Sequence, residues 1–333
     1  MEYLSYPPET AADIVRVRRR IQAAGVPPKV MDKNLLIATW NIRTFGGIYP
    51  SFEENPDSPK RNLRAIAILA EIISRFDVVA IQEVKSDLTG IRTLLEFLGP
   101  HWGLIVSDVT RGRAGNAERL AFVYDKRRVE PSGLAGEIVL PPEWGQEAIE
   151  QFARTPYVVS FRAGEEAFIL ATVHILYGET PEDRVPELEA FAEWMANWFQ
   201  DDKRFHHDII VLGDFNIDRR DDPRFEAFAS RGLNVPPQIR GVSTNLATGK
   251  KAKHYDQIGW FMGQLEMEYT GRAGVVNFAH AVFKELSLRS MSFRVSDHLP
   301  LWVEFSIDRS QRYLIQVLGL DPLASDPLAA VED

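Results

Sequence analysis

The sequence predicts an α/β sandwich, two β-sheets packed on each other and flanked by helices, and three observations carry that expectation. Short apolar runs recur as LLIATWNI, DVVAIQEV and DIIVLGDFNID, each written like a buried strand that ends in polar residues. Two segments, near residues 63–73 and 188–199, repeat apolar residues at helical spacing. The remaining strand candidates follow one another mostly through turn-rich connections, so strand-strand and strand-helix steps are mixed, which a strictly alternating parallel fold would not give.

In chain order, residues 1–33 carry a helical pattern from about Ala11 to Ala24, broken by Gly25 and the Pro27-Pro28 pair, and read as an N-terminal helical extension. The main domain is expected over residues 34–307 and a C-terminal tail over 308–333. Behind a Ser58-Pro59 start signal, Leu63, Ile66, Ala67, Ala70 and Ile73 define a helix that packs on a sheet. Leu188, Phe191, Ala192, Met195, Trp198 and Phe199 make one apolar stripe, read as core and not as a cofactor box. ERLAFVYD, PYVVSF, AFILATVH, YDQIGWF and LPLWVEF complete the expected strands, and a short helix with an acidic tail follows Phe305.

Composition bounds the chemistry. With 333 residues, 45% apolar and 26% charged, the chain can bury a sizeable core and is not a disordered protein. The formal charge of −9 opposes the long-range attraction that a DNA-coating protein exploits, yet carboxylates gathered round a cation would produce the same sum. There are no cysteines, so a metal must be held by oxygen or imidazole, and hard cations such as magnesium become the default. Neither a signal-peptide core at the start nor a run of about 18 apolar residues occurs, and the expectation is a soluble, cytoplasmic protein without stable membrane association.

The polar residues that end the strands form the candidate site: Asn41 after LLIATW, Glu83 after VVAIQ, Asp214 and Asn216 around IIVLGDFN, and Asp297-His298 before LPLWVEF. Singly, a strand-end Asp or Asn is more often a turn former or a helix cap. Several coincident placements reverse that weighting, because buried carboxylates need a partner. Of seven histidines, His101, His206, His207, His254 and His280 sit in loop-like or helix-edge text. His174 instead closes an apolar strand and His298 follows Asp297. A histidine held by a carboxylate suits proton transfer near neutral pH.

IATWNIRTFGG, AIQEV, NAERLAFVYD, ARTPYVVSF, ATVHIL, VLGDFNID, STN, HYDQIGWF and VSDHLPLWVEF, in this order over roughly residues 35–306, resemble the motif series of the deoxyribonuclease I-like members of the endonuclease/exonuclease/phosphatase superfamily. The resemblance implies a four-layer α/β sandwich and a magnesium- or manganese-dependent phosphodiesterase, with DNA as first-choice substrate. It places Asn41, Glu83, Asp214, Asn216 and Asp297 in the metal and scissile-phosphate site. It pairs Glu118 with His174 and Asp256 with His298 as orienter and proton-transfer group, assigns catalytic roles to Asp214 and Asn216 as well, and brings Arg43 and Arg154 to substrate phosphates, for which a planar guanidinium is suited.

Where the resemblance would put an aromatic before the glutamate of NAERL, this chain has Asn116, and Lys85 stands in place of an arginine after AIQEV, so minor-groove contacts are expected to differ. The longer, basic segment GKKAKHYDQI brings Lys250, Lys251 and Lys253 toward the expected cleft. The rival readings are a phosphatase or lipid phosphodiesterase of the same superfamily, acting on inositol phosphates or sphingomyelin, and a catalytically inactive binding scaffold.

Overall fold

A computed structural model describes residues 2–110, 116–141, 151–201, 205–206, 208–246, 252–263, 265–321 and 327–331. Every apolar run that the sequence marks as a strand becomes an interior strand of one of two six-stranded sheets. The first sheet has the order β11 (Glu268–Val275), β12 (Leu301–Ser306), β1 (Asn34–Phe45), β2 (Val78–Lys85), β4 (Glu118–Asp125) and β3 (Trp102–Val106). The second runs β5 (Glu130–Glu137), β6 (Tyr157–Ala163), β7 (Glu166–His174), β8 (Asp208–Asp214), β10 (Asp256–Phe261) and β9 (Leu233–Asn234). The edge strands β3, β5, β9 and β11 lie outside the expected set. β5 and β11 carry glycine, proline and charge on mostly accessible positions, and β9 is two residues long, so their apolar signal is faint.

Alternation of side chains builds two cores. Leu35 and Ile37, Val78 and Ala80, and Leu301, Val303 and Phe305 turn inward against the second sheet. Leu36, Ala38, Trp40, Val79 and Ile81 turn outward beneath helices. There α2 (Leu63–Ile73) supplies Ile66, Leu69 and Ile73, with α3 (Thr89–Leu98) beside it. On the other sheet α4 (Val185–Gln200), packed against α5 (Pro223–Ala229), buries Leu188, Phe191, Ala192 and Met195. Each such side chain contributes about 1.5–3 kcal/mol on burial, which makes the layered apolar contacts the main source of stability. Two short helices, α6 (Leu288–Ser292) and α7 (Ser310–Val317), complete the described regular structure with the 3-10 turns.

Two helix starts differ from expectation. α1 (Pro8–Ala23) begins three residues before Ala11 with proline at its first position. α2 starts at Leu63, where Asn62 Oδ1 accepts from Ala65 N at 3.1 Å, and Ser58-Pro59 lies ahead of the cap. α1 seats Ile14, Val17 and Ile21 in the helix-side core. Its buried Asp13 accepts from Arg64 Nε at 2.9 Å and from Phe283 N at 3.2 Å, and Arg16 Nε donates to Ala281 O at 2.6 Å. The buried Glu71 of α2 ties back to Arg18 at 2.9 Å and to Tyr3 Oη at 2.9 Å.

β1 and β2 are parallel, as are β7 and β8, while β4, β10 and β12 run against their neighbours. The C-terminal ends of the parallel strands and the starts of their antiparallel neighbours therefore meet at one end of the sandwich. Just below that end a fully buried polar triad joins the sheets: Gln82 Nε2 donates to Thr39 Oγ1 at 3.1 Å and to Thr172 Oγ1 at 3.0 Å. Buried amide and hydroxyl groups that satisfy one another across an interface fix its register.

Gly213 sets the approach of β7 to β8. Its φ is +144°, and a Cβ there would stand 2.2 Å from Val173 O. Gly213→Ala is expected to lower unfolding free energy by about 3 kcal/mol or more, read as a reduced urea midpoint; an unchanged midpoint would show that the backbone accommodates the methyl group.

Candidate active site

Strand geometry alone brings the predicted residues together. The β7–β8 register sets His174 beside Asp214, and the β8–β10 register sets Asp256 on the other side of it. From the facing sheet, Asn41 near the end of β1 donates through Nδ2 to Asp214 Oδ2 at 2.8 Å and to Glu83 Oε1 at 3.0 Å. One asparagine amide thus links the two sheets and two carboxylates. Asn216 closes the loop after β8: its N donates to Asp214 Oδ1 at 2.9 Å and its Nδ2 to Ile175 O at 2.7 Å.

Two histidines flank Asp214. His298 Nδ1 lies 2.8 Å from Asp256 Oδ2, and its Nε2 is 3.8 Å from Asp214 Oδ2. His174 Nδ1 lies 2.9 Å from Glu118 Oε2, and its Nε2 is 3.5 Å from Asp214 Oδ2. The first pair is an aligned hydrogen bond; in the second the contact is close but off the direction a ring N–H prefers. Both rings are buried, whereas His101 and His280 are exposed and His206 and His254 only partly covered. His207 falls outside the described residues.

The electrostatics follow from burial and pairing. Burial works against ionisation of Asp214, but His298, His174 and the Asn41 amide together hold its carboxyl below the usual range. Burial raises the Asp256 carboxyl in spite of His298. For His298 burial likewise disfavours charge, and the Asp256 and Asp214 carboxylates outweigh it, lifting the imidazole well above its ordinary value. Glu118 is held low against its own burial by His174, Arg154 and Lys85.

Glu118 is the most heavily engaged carboxylate of the group. Oε1 accepts from Lys85 Nζ at 2.9 Å and Asn116 Nδ2 at 2.6 Å, and Oε2 accepts from Arg154 Nε at 2.6 Å. Arg154 is therefore built into the wall, its Nη1 donating to His174 O at 3.5 Å and only its Nη2 left for another anion. Arg43 lies at the rim, its Nη1 3.3 Å from Asp297 Oδ2 and its guanidinium 3.9 Å above the Phe293 ring. Asp297 is joined to the group through Arg43, and its side chain is 41% exposed. Lys253 is 2.8 Å from Asp218 Oδ1; Lys250 and Lys251 fall outside the described residues.

Backbone strain concentrates here. Thr44, Glu83, Asn116, Ala117 and Asn216 all adopt positive φ without being glycine, a conformation that persists only where surrounding contacts enforce it. Thr44 N donates to Glu83 Oε2 at 2.8 Å, which aims that carboxylate at Asn41. Residues with no strand-end signal also build the site. The buried Arg184 donates to Tyr177 O and Asn216 O, each at 2.7 Å, and so fixes the loop after β8. Lys85 shares its β2–β4 register position with Glu118, a pairing visible only once the strands are aligned.

The donor set fits a hard divalent cation. Asn41 Oδ1 and Asp256 Oδ1 are buried oxygens without a hydrogen-bond partner among the described residues, and such orphaned acceptors are rare unless a ligand completes them. Oxygen or nitrogen atoms of Asp214, Asp256 and His298 lie within 4.8 Å of one another. Because His298 is disposed to hold a proton, the carboxylates of Glu83 and Asp214, brought together on the Asn41 amide, are the groups that could hold such a cation.

Residues 38–298 match the description of the Endonuclease/Exonuclease/phosphatase family. The chain is 29% identical to a deoxyribonuclease of Thioalkalivibrio sp., over 84% of this chain and 73% of that one. It is 26% identical to deoxyribonuclease gamma of Rattus norvegicus, over 84% and 86% respectively. Among solved structures, a mannosyl-6-phosphatase of Bacteroides thetaiotaomicron superposes with a TM-score of 0.52 at 19% identity, covering 81% of this chain and 99% of that one.

The His298–Asp256 pair makes a measurable statement. In an NMR pH titration of the metal-free protein His298 should titrate above the ordinary imidazole value of about 6.5, and Asp256→Asn should bring it down. The raised folded value means that the linked stability is full below the unfolded-state value and is lost as pH rises through the folded one. A His298 titration that stays put in Asp256→Asn would contradict the assigned partner.

Proposed function

The chain belongs to the endonuclease/exonuclease/phosphatase family, and from that membership we propose that it is a divalent-metal-dependent phosphodiesterase whose substrate is DNA, cut internally. The observation that carries this reading is the convergence of two carboxylate-backed imidazoles on one buried aspartate, at 3.5 and 3.8 Å. In-line hydrolysis of a phosphodiester needs one group to take a proton from the attacking water and another to give one to the leaving oxygen. The similar proteins named deoxyribonuclease, matched over 84% of this chain, favour DNA over other phosphoesters. Among the described residues no helix is long and apolar enough to cross a membrane.

The division of labour follows from the two pairs. His298 holds its proton through Asp256 and presents Nε2 toward the reacting phosphate, so it serves as general acid to the leaving oxygen. His174, whose contact with Glu118 is shared with Arg154, Lys85 and Asn116, serves as base to the water. Asp214 faces both rings and keeps them oriented, and Asn216 holds Asp214. Arg43 and Nη2 of Arg154 approach the non-bridging oxygens. The chemistry supplied by bound magnesium or manganese is neutralisation of charge on the phosphate, and Asn41, Glu83, Asp214, Asn216 and Asp297 are the oxygen donors that would hold it. The catalytic unit in this reading is residues 34–307, with α1 clamped to its outer helices.

Supercoiled plasmid is the direct test. Purified protein should nick it with magnesium, and nicking should stop with EDTA. His298→Ala should lose at least about 100-fold in rate, the usual size of a general-acid contribution. Metal-dependent hydrolysis of a sugar phosphate or phospholipid in place of nicking would move the substrate elsewhere in the family, and full activity in His298→Ala would remove the histidine from the mechanism.

A further inference from the structure

Beside the catalytic group, segments 219–221 and 252–254 and Arg240 enclose a cleft of about 550 Å³. Its charged walls are Arg219, Arg220, Asp221, Arg240 and Lys253. Two of the cations are already neutralised: Arg219 Nε is 2.8 Å from Asp221 Oδ1, and Lys253 Nζ is 2.8 Å from Asp218 Oδ1. Arg220 and Arg240 are not, since neither has a carboxylate within ion-pair distance among the described residues. Arg220 donates to Gln257 Oε1 at 2.9 Å and to Ile239 O, and its Nη2 is buried without a partner. Arg240 donates to Asn234 Oδ1 at 2.8 Å and Val235 O at 3.3 Å.

Two guanidiniums close enough to repel, one of them largely buried, are costly without a counter-ion. Burial and the neighbouring Arg240 charge push Arg220 down to about 10, with the Asp256 carboxylate offsetting only part of this. On the same wall burial pushes His254 down, its Nδ1 bonded to Val242 O at 2.7 Å. The location narrows the anion. In the wall, His254 directly precedes Tyr255, whose ring stacks on His298 with centroids 5.6 Å apart, and the Asp256 carboxylate is near enough to act on the Arg220 charge, so the cleft adjoins the His298–Asp256 pair. Along a nucleic-acid strand the next charge follows within a few ångströms of axial rise, about 3.4 Å per phosphate on one strand.

We propose that the Arg220–Arg240 cleft seats a backbone phosphate of the bound polynucleotide, flanking the phosphodiester that is cut, and that it sets affinity for long substrates and not the chemical step. This rests on the phosphodiesterase reading of the adjoining site. Each guanidinium keeps one nitrogen uncommitted, Arg220 Nη2 and Arg240 Nη1, so the pair can give one charge-assisted N–H each to a single phosphate.

The test compares wild type, Arg240→Gln, which changes an exposed side chain, and Arg220→Gln/Arg240→Gln, on a 20-base-pair duplex and on a dinucleoside monophosphate too short to reach the cleft. For the duplex, KM should rise about ten-fold in the double variant. The slope of log KM against log salt should become shallower by about one for each arginine removed, while kcat stays within about two-fold. On the dinucleotide the three proteins should behave alike. Unchanged duplex KM and salt slope in the variants would overturn the proposal. A double variant that loses competition by inorganic phosphate yet keeps duplex affinity and slope would assign the cleft to free phosphate and overturn it too. If wild type cleaves neither substrate, the hydrolase reading fails separately, and duplex binding by fluorescence anisotropy decides the cleft: weakened binding in both variants supports it, equal binding removes it.

Discussion

A charged carboxylate buried where two sheets meet is the constraint on which the site depends. Removing a carboxylate from water costs several kcal/mol unless geometry compensates, and Asp214 is compensated from four directions. Asn41 reaches it across the sheet interface, Asn216 N from its own loop, and His174 and His298 stand on either side. Two of these partners come from strands of fixed register, His174 at the end of β7 and Asn41 within β1, so the parallel pairing of β7 with β8 and of β1 with β2 is part of the solution. Loss of that register by one residue would turn His174 or Asn41 to the opposite face.

The two histidine pairs are unequal for physical reasons. His298 has a single well-aligned carboxylate partner in a fully buried setting, which concentrates charge on one imidazole. Glu118 divides its two oxygens among Lys85, Asn116, Arg154 and His174. In the proposed mechanism this asymmetry is what divides the roles of proton donor and proton acceptor between two residues of the same type, a division that active sites commonly achieve through environment.

Much of this architecture was legible in the sequence because interior strands are buried on both faces and read as continuous apolar text. LLIATWNI, AFILATVH and DIIVLGD needed no tertiary information. The edge strands β5 and β11 did, since their glycines, proline and charges resemble loop text until a neighbouring strand supplies the ladder. The same division holds at the site. Asn41, Glu83, Asp214 and His298 stand out as polar residues at the ends of apolar runs, while the Thr39–Gln82–Thr172 triad lies inside such runs and depends on three strands from two sheets. Arg184 sits in a helical turn and acts on a loop 32 residues away, a distance that periodicity does not span.

The seat of the N-terminal helix bears on how the chain is made. Asp13 and Arg16 find partners at Arg64, Phe283 and Ala281, so this helix is completed by a segment that leaves the ribosome some 270 residues after it. At typical elongation rates that interval is on the order of tens of seconds. Throughout it α1 has α2 as an early partner but lacks the acceptor and donor near residue 281, and Asp13 stays accessible to water. Closure of the helix layer is therefore a late event in biosynthesis, set by completion of the chain and not by the intrinsic speed of helix formation.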